Sequence, residues 1–438
     1  MSGTHAHSVV FVRETIVPEA EPPLAEKGAI KWLRENLFAG WVNTLMTILS
    51  LFVIWWVLSH ILPWMLGGIW DAESLRECRE MRDSLYGEGA SVACWAVLAD
   101  RWPQLIFGFY PSEFYWRPVL ALIVFLAGIA PALYANLPRK LLWFTAAMPF
   151  LCYFLLWGGT IWGPLAAAAC FGIGWAVLHY GADTIGRLGA TVAALVLPVV
   201  YWLFVAGPLA SALGSVIPLG LEFVPSDDFG GFMLSFIIGI TGITLSLPLG
   251  VLLALGRQSD LFIINKTSIT FIEIIRGVPL IVWLFTASLL LNYFLPPGTN
   301  FDLMLRVIIM VTLFASAYIA EVVRGGLAAL PRGQYEGADS LGLDYWQAMR
   351  LIILPQALKI SIPGIVNTFI GLFKDTTLVV FIGLLDPIGL SNAIRATTEW
   401  NGIYWELFIF IGLLFWICCY SMSRYSFWLE RQLQTDRR

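Results

Sequence analysis

Long apolar runs separated by short polar stretches dominate the 438-residue chain. A bilayer core takes about 20 mostly apolar residues per helix, and ten runs are long enough. They extend over about Trp41 to Leu66, Trp116 to Leu133, Leu141 to Trp157, Ile161 to His179, Ala190 to Ala206, Phe232 to Leu255, Ile269 to Leu291, Leu303 to Val323, Leu351 to Phe373 and Tyr404 to Tyr420. The segment Thr376 to Asn401 fits either a re-entrant loop or a short extra helix. The pattern predicts an all-α integral membrane protein of about ten transmembrane helices. It also predicts six regions: an N-terminal segment 1–40; a membrane region 41–208 of about five helices with a long loop 67–112; a linker 209–229; a second group of five helices over 230–430; a polar loop 324–350 inside that group; and a tail 431–438.

One polar stretch breaks the apolar second half, Pro331 to Leu358. Placed on a helix, Tyr335, Ala338, Leu341, Tyr345, Trp346 and Met349 recur on one face, and Glu336, Ser340, Asp344, Gln347 and Arg350 fall on the other. Gly342 interrupts the pattern. Asp344, followed three residues later by Gln347, can restart a helix by accepting from the free amides of the next turn. Two short helices with an elbow at the glycine are expected. An interfacial lipid-binding helix is usually rich in Lys and Arg on its polar face, whereas this face carries Glu336, Asp339 and Asp344. Docking into a protein partner accounts for it better.

Composition agrees with the pattern. The chain is 58% hydrophobic and 13% charged, with a mean hydropathy of +0.77, against roughly 25% charged in soluble domains. A net charge of -4 argues against nucleic acid as a partner. Lys27, Lys31 and Arg34 before the first run, Arg139 and Lys140, Arg257 and Lys266, the basic residues around 324–350, and Arg424, Arg431, Arg437 and Arg438 all fall on one side of an even count of spans. Both termini are therefore expected in the cytoplasm and loop 67–112 outside. Residues 1–40 lack the apolar core and cleavage site of a signal peptide. Cys78 and Cys94 share the outside loop, where an oxidising space permits a disulfide, while Cys152, Cys170, Cys418 and Cys419 lie in apolar runs.

Two further polar islands lie in the second half. Glu273 and Arg276, three residues apart, share a helix face at the start of the seventh run and are expected to pair there. Asn367 and Lys374 share a face in the ninth, followed by Asp375 and Thr376. Ionisable residues at membrane depth mark a substrate pathway or an interhelical contact, and both readings stand for these six residues. Pro355, Pro363, Gly364 and Gly371 are expected to break or kink this run. The sequence holds no GxxxxGK[ST], HExxH, GxSxG or CxxC motif, and its four histidines are dispersed. No catalytic residue, metal site or bound cofactor is therefore expected, and no enzyme activity.

The polar stretch resembles the EAA loop of ABC importer permeases. Glu336, Gly337, Ala338 and Gly342, then Ile353, Leu354 and Pro355, stand where that family has its acidic, small, glycine and apolar-proline positions, with glycine at 337 for the usual alanine. RGVPL at Arg276 to Leu280, RGG at Arg324 to Gly326, PRGQYE at Pro331 to Glu336, LGL at Leu341 to Leu343, LPQAL at Leu354 to Leu358 and KDTTL at Lys374 to Leu378 resemble the polar amino acid uptake branch. GLFKDTTLV, MSRYS at Met422 to Ser426 and the long first half resemble the larger permease of general L-amino acid transport systems. The resemblance implies a five-helix type I importer permease core over 230–430, with Glu336, Gly337, Ala338, Gly342, Leu354 and Pro355 coupling it to an ATPase. It further implies a bacterial inner-membrane complex with a second permease subunit, two ATPase subunits that use ATP and Mg, a periplasmic amino acid binding protein and an L-amino acid substrate, embedded in membrane lipid. The alternative is a secondary transporter driven by an ion gradient, with Lys374 and Asp375 as a proton relay.

Overall fold

The computed structural model describes residues 28–134, 136–290 and 302–434. Most of the expected N-terminal segment (1–27), the last residue of the seventh run, Leu291, and tail residues 435–438 with Arg437 and Arg438 lie outside the described residues. Two compact units separate: the chain up to Ile69 with Arg82–Ala93, and Trp70–Met81 with the chain from Cys94 onward.

In the first unit, α1 (Gly28–Asn36) precedes α2 (Trp41–Leu66). Helix α2 is apolar all round and buries none of its residues, as a helix facing lipid does. Its end is fixed by backbone bonds from Gly67 to Pro63 (3.0 Å) and from Ala93 to Trp64 (2.9 Å).

In the second unit the early elements are the first turns of α3 (Leu75–Tyr86), then α4 (Ala96–Phe107), α5 (Trp116–Leu133), α6 (Leu142–Trp157), β1 (Gly159–Thr160), α7 (Trp162–Tyr201), α8 (Gly207–Val216) and β2 (Gly220–Leu221). Gly186, at φ 73°, kinks α7 into two spans. The fifth span runs on through α8 to Val216, so residues 209–216 are helical rather than linker. Next come α9 (Gly231–Arg257), α10 (Phe262–Gly277), α11 (Leu280–Phe285), α12 (Leu303–Ala328), α13 (Arg332–Ser340), α14 (Tyr345–Ala348), α15 (Leu354–Asp375), α16 (Pro387–Arg395) and α17 (Trp405–Gln434). Among the described residues nine helices are long and apolar enough to span a bilayer. The pair Phe262–Gly277 and Leu280–Leu290, bent by 102°, makes ten if it counts as one span.

The core packs around α9 and α12. One buried cluster holds Leu234, Ile238, Leu284, Val307, Val311 and Val379; another holds Ala254, Ile272, Ile319, Val323, Ile353 and Ala357. Small residues permit close approach of the helices: a Cβ on Gly250 would stand 2.5 Å from the Ile319 side chain.

The loops that the basic-residue count places outside meet one another. β1 pairs antiparallel with β2, Phe109 donates to the Asp228 carbonyl (3.1 Å), and Gly108 approaches Gly230 so closely that a Cβ would stand 2.4 Å from its backbone. The buried Arg117 donates to the Glu222 carbonyl (2.7 Å) and Tyr110 to that of Leu156 (2.8 Å). Part of loop 67–112 is a folded cap. Cys78 and Cys94, both buried, form a disulfide. Leu75 donates to the Glu399 carbonyl (2.8 Å), the Cys94 amide to the Glu406 carboxylate (2.8 Å), and the fully buried Trp400 indole to Asp100 (2.8 Å). Thr376 to Asn401 is a 3-10 turn over Thr376–Ile382, a left-handed Gly383 (φ 95°) and the short helix α16. Asp386 caps α16 by accepting from the Gly389 amide (2.8 Å).

Without reductant, alkylation of the denatured chain is expected to label four cysteines (Cys152, Cys170, Cys418 and Cys419), and six after reduction, as read by intact mass. Six without reduction would contradict the bond. Burial pushes the Asp386 carboxyl up to about 6 from 3.8, so between those values the folded state holds a proton that the unfolded state has released, and stability falls as pH rises. Asp386→Asn keeps the cap and removes the charge. It is expected to match the wild type near pH 4 and to exceed it at pH 8 by up to about 3 kcal/mol, measured by thermal unfolding in detergent. Parallel pH profiles would contradict this.

Candidate functional site

The polar stretch folds as a rigid elbow. Helix α13 ends with Gly342 at φ 68°, its amide donating to Asp339 (2.9 Å) and that of Leu343 to Ala338 (3.3 Å). These two bonds satisfy the last carbonyls in the manner of a Schellman end, which needs a residue free to adopt positive φ. Two residues on, Asp344 accepts from the Gln347 amide (2.8 Å) and the Gln347 side chain accepts from the Asp344 amide (3.1 Å), a complete capping box. Gln356 donates to the Gln334 side chain (2.9 Å), tying α15 back to α13.

Glu336, Ser340, Asp344, Gln347 and Arg350 are all exposed, as the pattern requires. The apolar face divides. Ala338 (1% exposed) and Met349 are buried and Tyr335 is half-buried, whereas Leu341 (74%), Trp346 (68%) and Tyr345 (50%) point outward. The first helix ends at Ser340 and the elbow redirects the chain, so a face counted along one continuous helix does not hold for Leu341, Tyr345 and Trp346. Leu255, Trp346, Met349, Arg350, Leu354, Pro355 and Leu358 line an apolar recess of about 320 Å3. A Cβ on Gly337 would meet nothing within 4 Å.

Helix α14 continues through a π-turn, Met349–Ile353, into α15, and Pro355 occupies an early position of α15. The widened turn ahead of Pro355 absorbs its missing amide. Helix α15 then runs without a break past Pro363, Gly364 and Gly371 to Asp375, and of the expected break or kink the structure places a departure from the α form ahead of Pro355.

Glu273 and Arg276 do not pair with each other. Glu273 meets Arg257 at the end of α9 (3.1 Å), and Arg276 meets Glu321 of α12 (3.8 Å) and lies over the Tyr318 ring. The Glu321 carboxylate also binds Arg257 and Arg324 (3.0 Å). Spacing within one helix gives the shared face but not what other helices bring to it. The sequence reading missed Glu321 as a partner. Its signal was the three-residue spacing to Arg324.

On α15, Asn367 and Lys374 are exposed on one face, Asp375 is half-buried, and the buried Thr376 donates to the Phe373 carbonyl (2.8 Å). These residues do not join the Glu321 cluster. Among the described residues no group of three or more His, Cys, Asp or Glu side chains could hold a metal ion.

A bundle of helices long and apolar enough to span a bilayer, with a polar elbow standing out from it, defines a multi-pass membrane protein. Residues 246–435 match the model of the binding-protein-dependent transport system inner membrane component family. The chain is 55% identical over 429 residues to the glutamate/glutamine/aspartate/asparagine transport system permease protein BztC of Rhodobacter capsulatus, covering 98% of this chain and 99% of that one. It is 39% identical over 411 residues to the inner membrane amino-acid ABC transporter permease protein YhdY of Escherichia coli, covering 93% and 94%. A crystal structure of an amino acid ABC transporter with histidines is 30% identical, with a TM-score of 0.41 over 46% of this chain and 91% of that one. The chain belongs to the family of binding-protein-dependent inner membrane components, among its amino-acid ABC transporter permeases.

The two glycines of the elbow are expected to respond oppositely to alanine. Gly337→Ala fits and should stabilise α13 by about 0.5–1 kcal/mol, whereas Gly342→Ala forces a side chain into positive φ at a cost of about 1 kcal/mol or more. Thermal unfolding of the two variants decides it, and equal shifts would contradict the assignment of the elbow.

Proposed function

We propose that this permease carries L-amino acids of the glutamate, glutamine, aspartate and asparagine class into a bacterial cell. In this reading both termini are cytoplasmic, and the chain works with a second permease subunit, two ATPase subunits that use ATP and Mg, and a periplasmic binding protein. It is a transport subunit of an ABC importer, a multi-pass membrane protein of a family whose members are inner membrane components. The relatives support this reading, and none of those named is an ion-gradient transporter.

The observation that carries the coupling role is the exposed, locally capped elbow: Glu336 on its polar face, with Leu341, Tyr345 and Trp346 outward beside it. Helices shorter than about 12 residues are marginal alone, and the two caps with the Gln334–Gln356 contact hold these in place without a partner. ATP-driven closure of the ATPase subunits moves the elbow, and α12 and α15 on either side of it transmit the displacement. Ala338 and Gly342 shape the elbow, and Leu354 with Pro355 forms the edge of the recess beside it. A switch of this kind requires the elbow to contact the ATPase differently in its two states.

Asn367 and Lys374 supply the second element. A lysine exposed on a membrane helix is costly against lipid, so this face of α15 lines the path or meets the second permease, and its ammonium suits the carboxylate of an acidic amino acid.

Glu336→Lys reverses the charge on an exposed surface and leaves the fold unchanged. In membrane vesicles holding the whole complex, hydrolysis is expected to persist while uptake of labelled amino acid falls about tenfold or more, a coupling loss within the usual range. Wild-type uptake by the variant would remove Glu336 from the coupling role.

A further inference from the structure

The bent span and the helix leading into the elbow are tied together by the charge cluster. Glu321 lies two turns before the end of α12, at the end that the basic-residue count places in the cytoplasm. Its carboxylate takes guanidinium groups from three positions: Arg257 at the last residue of α9, Arg276 in the last turn of α10 (3.8 Å), and Arg324 of its own helix (3.0 Å). Arg257 reaches on to Glu273 of α10 (3.1 Å), so contacts close a ring through α9, α10 and α12. Two carboxylates face three guanidinium groups, and the Glu321 side chain is largely buried, so removing its charge would leave mutually repelling cations among three helix ends.

The ring ends where α10 ends. Arg276 is followed by Gly277, by Val278 in an extended conformation and by Pro279, and the chain turns through 102° into α11. A Cβ on Gly277 would meet nothing within 4 Å, and the Trp283 indole bridges the bend by donating to the Ile275 carbonyl (3.2 Å). Helix α11, Leu280–Phe285, carries no charge. One half of the bent span is thus fastened electrostatically to the inner ends of α9 and α12, while the other half packs on their outer halves, where Leu284 is buried with Leu234 and Val307 and Arg306 donates to the Ser288 carbonyl (2.8 Å).

We propose that Glu321 is a positioning residue for transport. It makes the cytoplasmic ends of α9, α10 and α12 move as one body, so that a displacement entering through the elbow is taken up as a change of angle at Gly277–Pro279. The proposal rests on the ATP-driven reading above. It gives the bent span its part in that reading: α10 follows the inner ends of α9 and α12, and α11 is held by their outer halves.

The test uses the whole complex in proteoliposomes, with the four unpaired cysteines replaced by serine and spin labels at the exposed positions 274 on α10 and 282 on α11. The distance between labels is expected to differ between the nucleotide-free and the ATP-trapped complex, and Glu321→Gln is expected to abolish that difference. The variant should also cut the stimulation of hydrolysis by loaded binding protein about tenfold, while Glu321→Asp, which keeps the charge, restores most of it. An unchanged distance in the otherwise wild-type complex overturns the proposal, as does a full nucleotide response in Glu321→Gln. Should Glu321→Gln not assemble, Arg276→Gln, which leaves Glu321 two guanidinium partners, is read in its place by the same criteria. Failure of any ATPase subunit to co-purify with the wild-type chain would instead remove the importer reading itself.

Discussion

Hydrocarbon offers no hydrogen-bond partner, so every backbone amide and carbonyl inside a bilayer must be satisfied by its own segment or by a close neighbour. That requirement governs where this chain is regular and where it is not. Its apolar segments are helices, and their departures from the α form include a π-turn ahead of Pro355, a 3-10 turn after Asp375 and a kink at Gly186. The small ribbon, the buried arginine and the disulfide lie at the end of the second unit that the basic-residue count places outside. The elbow obeys the same rule away from the lipid, because Gly342 and the Asp344–Gln347 box satisfy the ends of two helices too short to persist alone.

Charge is placed with equal economy. At one end of the permease core three arginines and two glutamates neutralise one another across α9, α10 and α12, close to where α12 leaves for the elbow. At the other end the buried Asp386 is held by the amide at the start of α16, its carboxyl pushed up by burial. Between them Lys374 and Asn367 stand exposed on α15. Polar groups are thus either matched by other helices of this chain or presented on one face, the arrangement expected of a subunit that shares a path with a second chain.

The spans and the elbow were legible in the sequence because both obey local rules. Twenty apolar residues report a span whatever surrounds them, and Gly342, Asp344 and Gln347 act on amides within a few residues. What was hidden came from contacts far apart in the chain. Spacing alone paired Glu273 with Arg276, whereas Arg257 and Glu321, 16 and 45 positions from those two, take them instead. The cap on the permease core escaped for the same reason, since Asp100 meets Trp400 and Cys94 meets Glu406 across some three hundred residues. Leu341, Tyr345 and Trp346 leave the apolar face of the polar stretch because helical counting assumes one axis, whereas the helix ends at Ser340 and a second begins at Tyr345.

In the proposed function a docked ATPase moves the permease from the cytoplasmic side. The most direct measurement is uptake of labelled glutamate into proteoliposomes holding the complete complex, with ATP and loaded binding protein supplied on their proper sides and the proton gradient collapsed by an ionophore. Uptake that needs both ATP and binding protein and is indifferent to the ionophore is the predicted result. Uptake that proceeds without ATP and disappears with the proton gradient would contradict it.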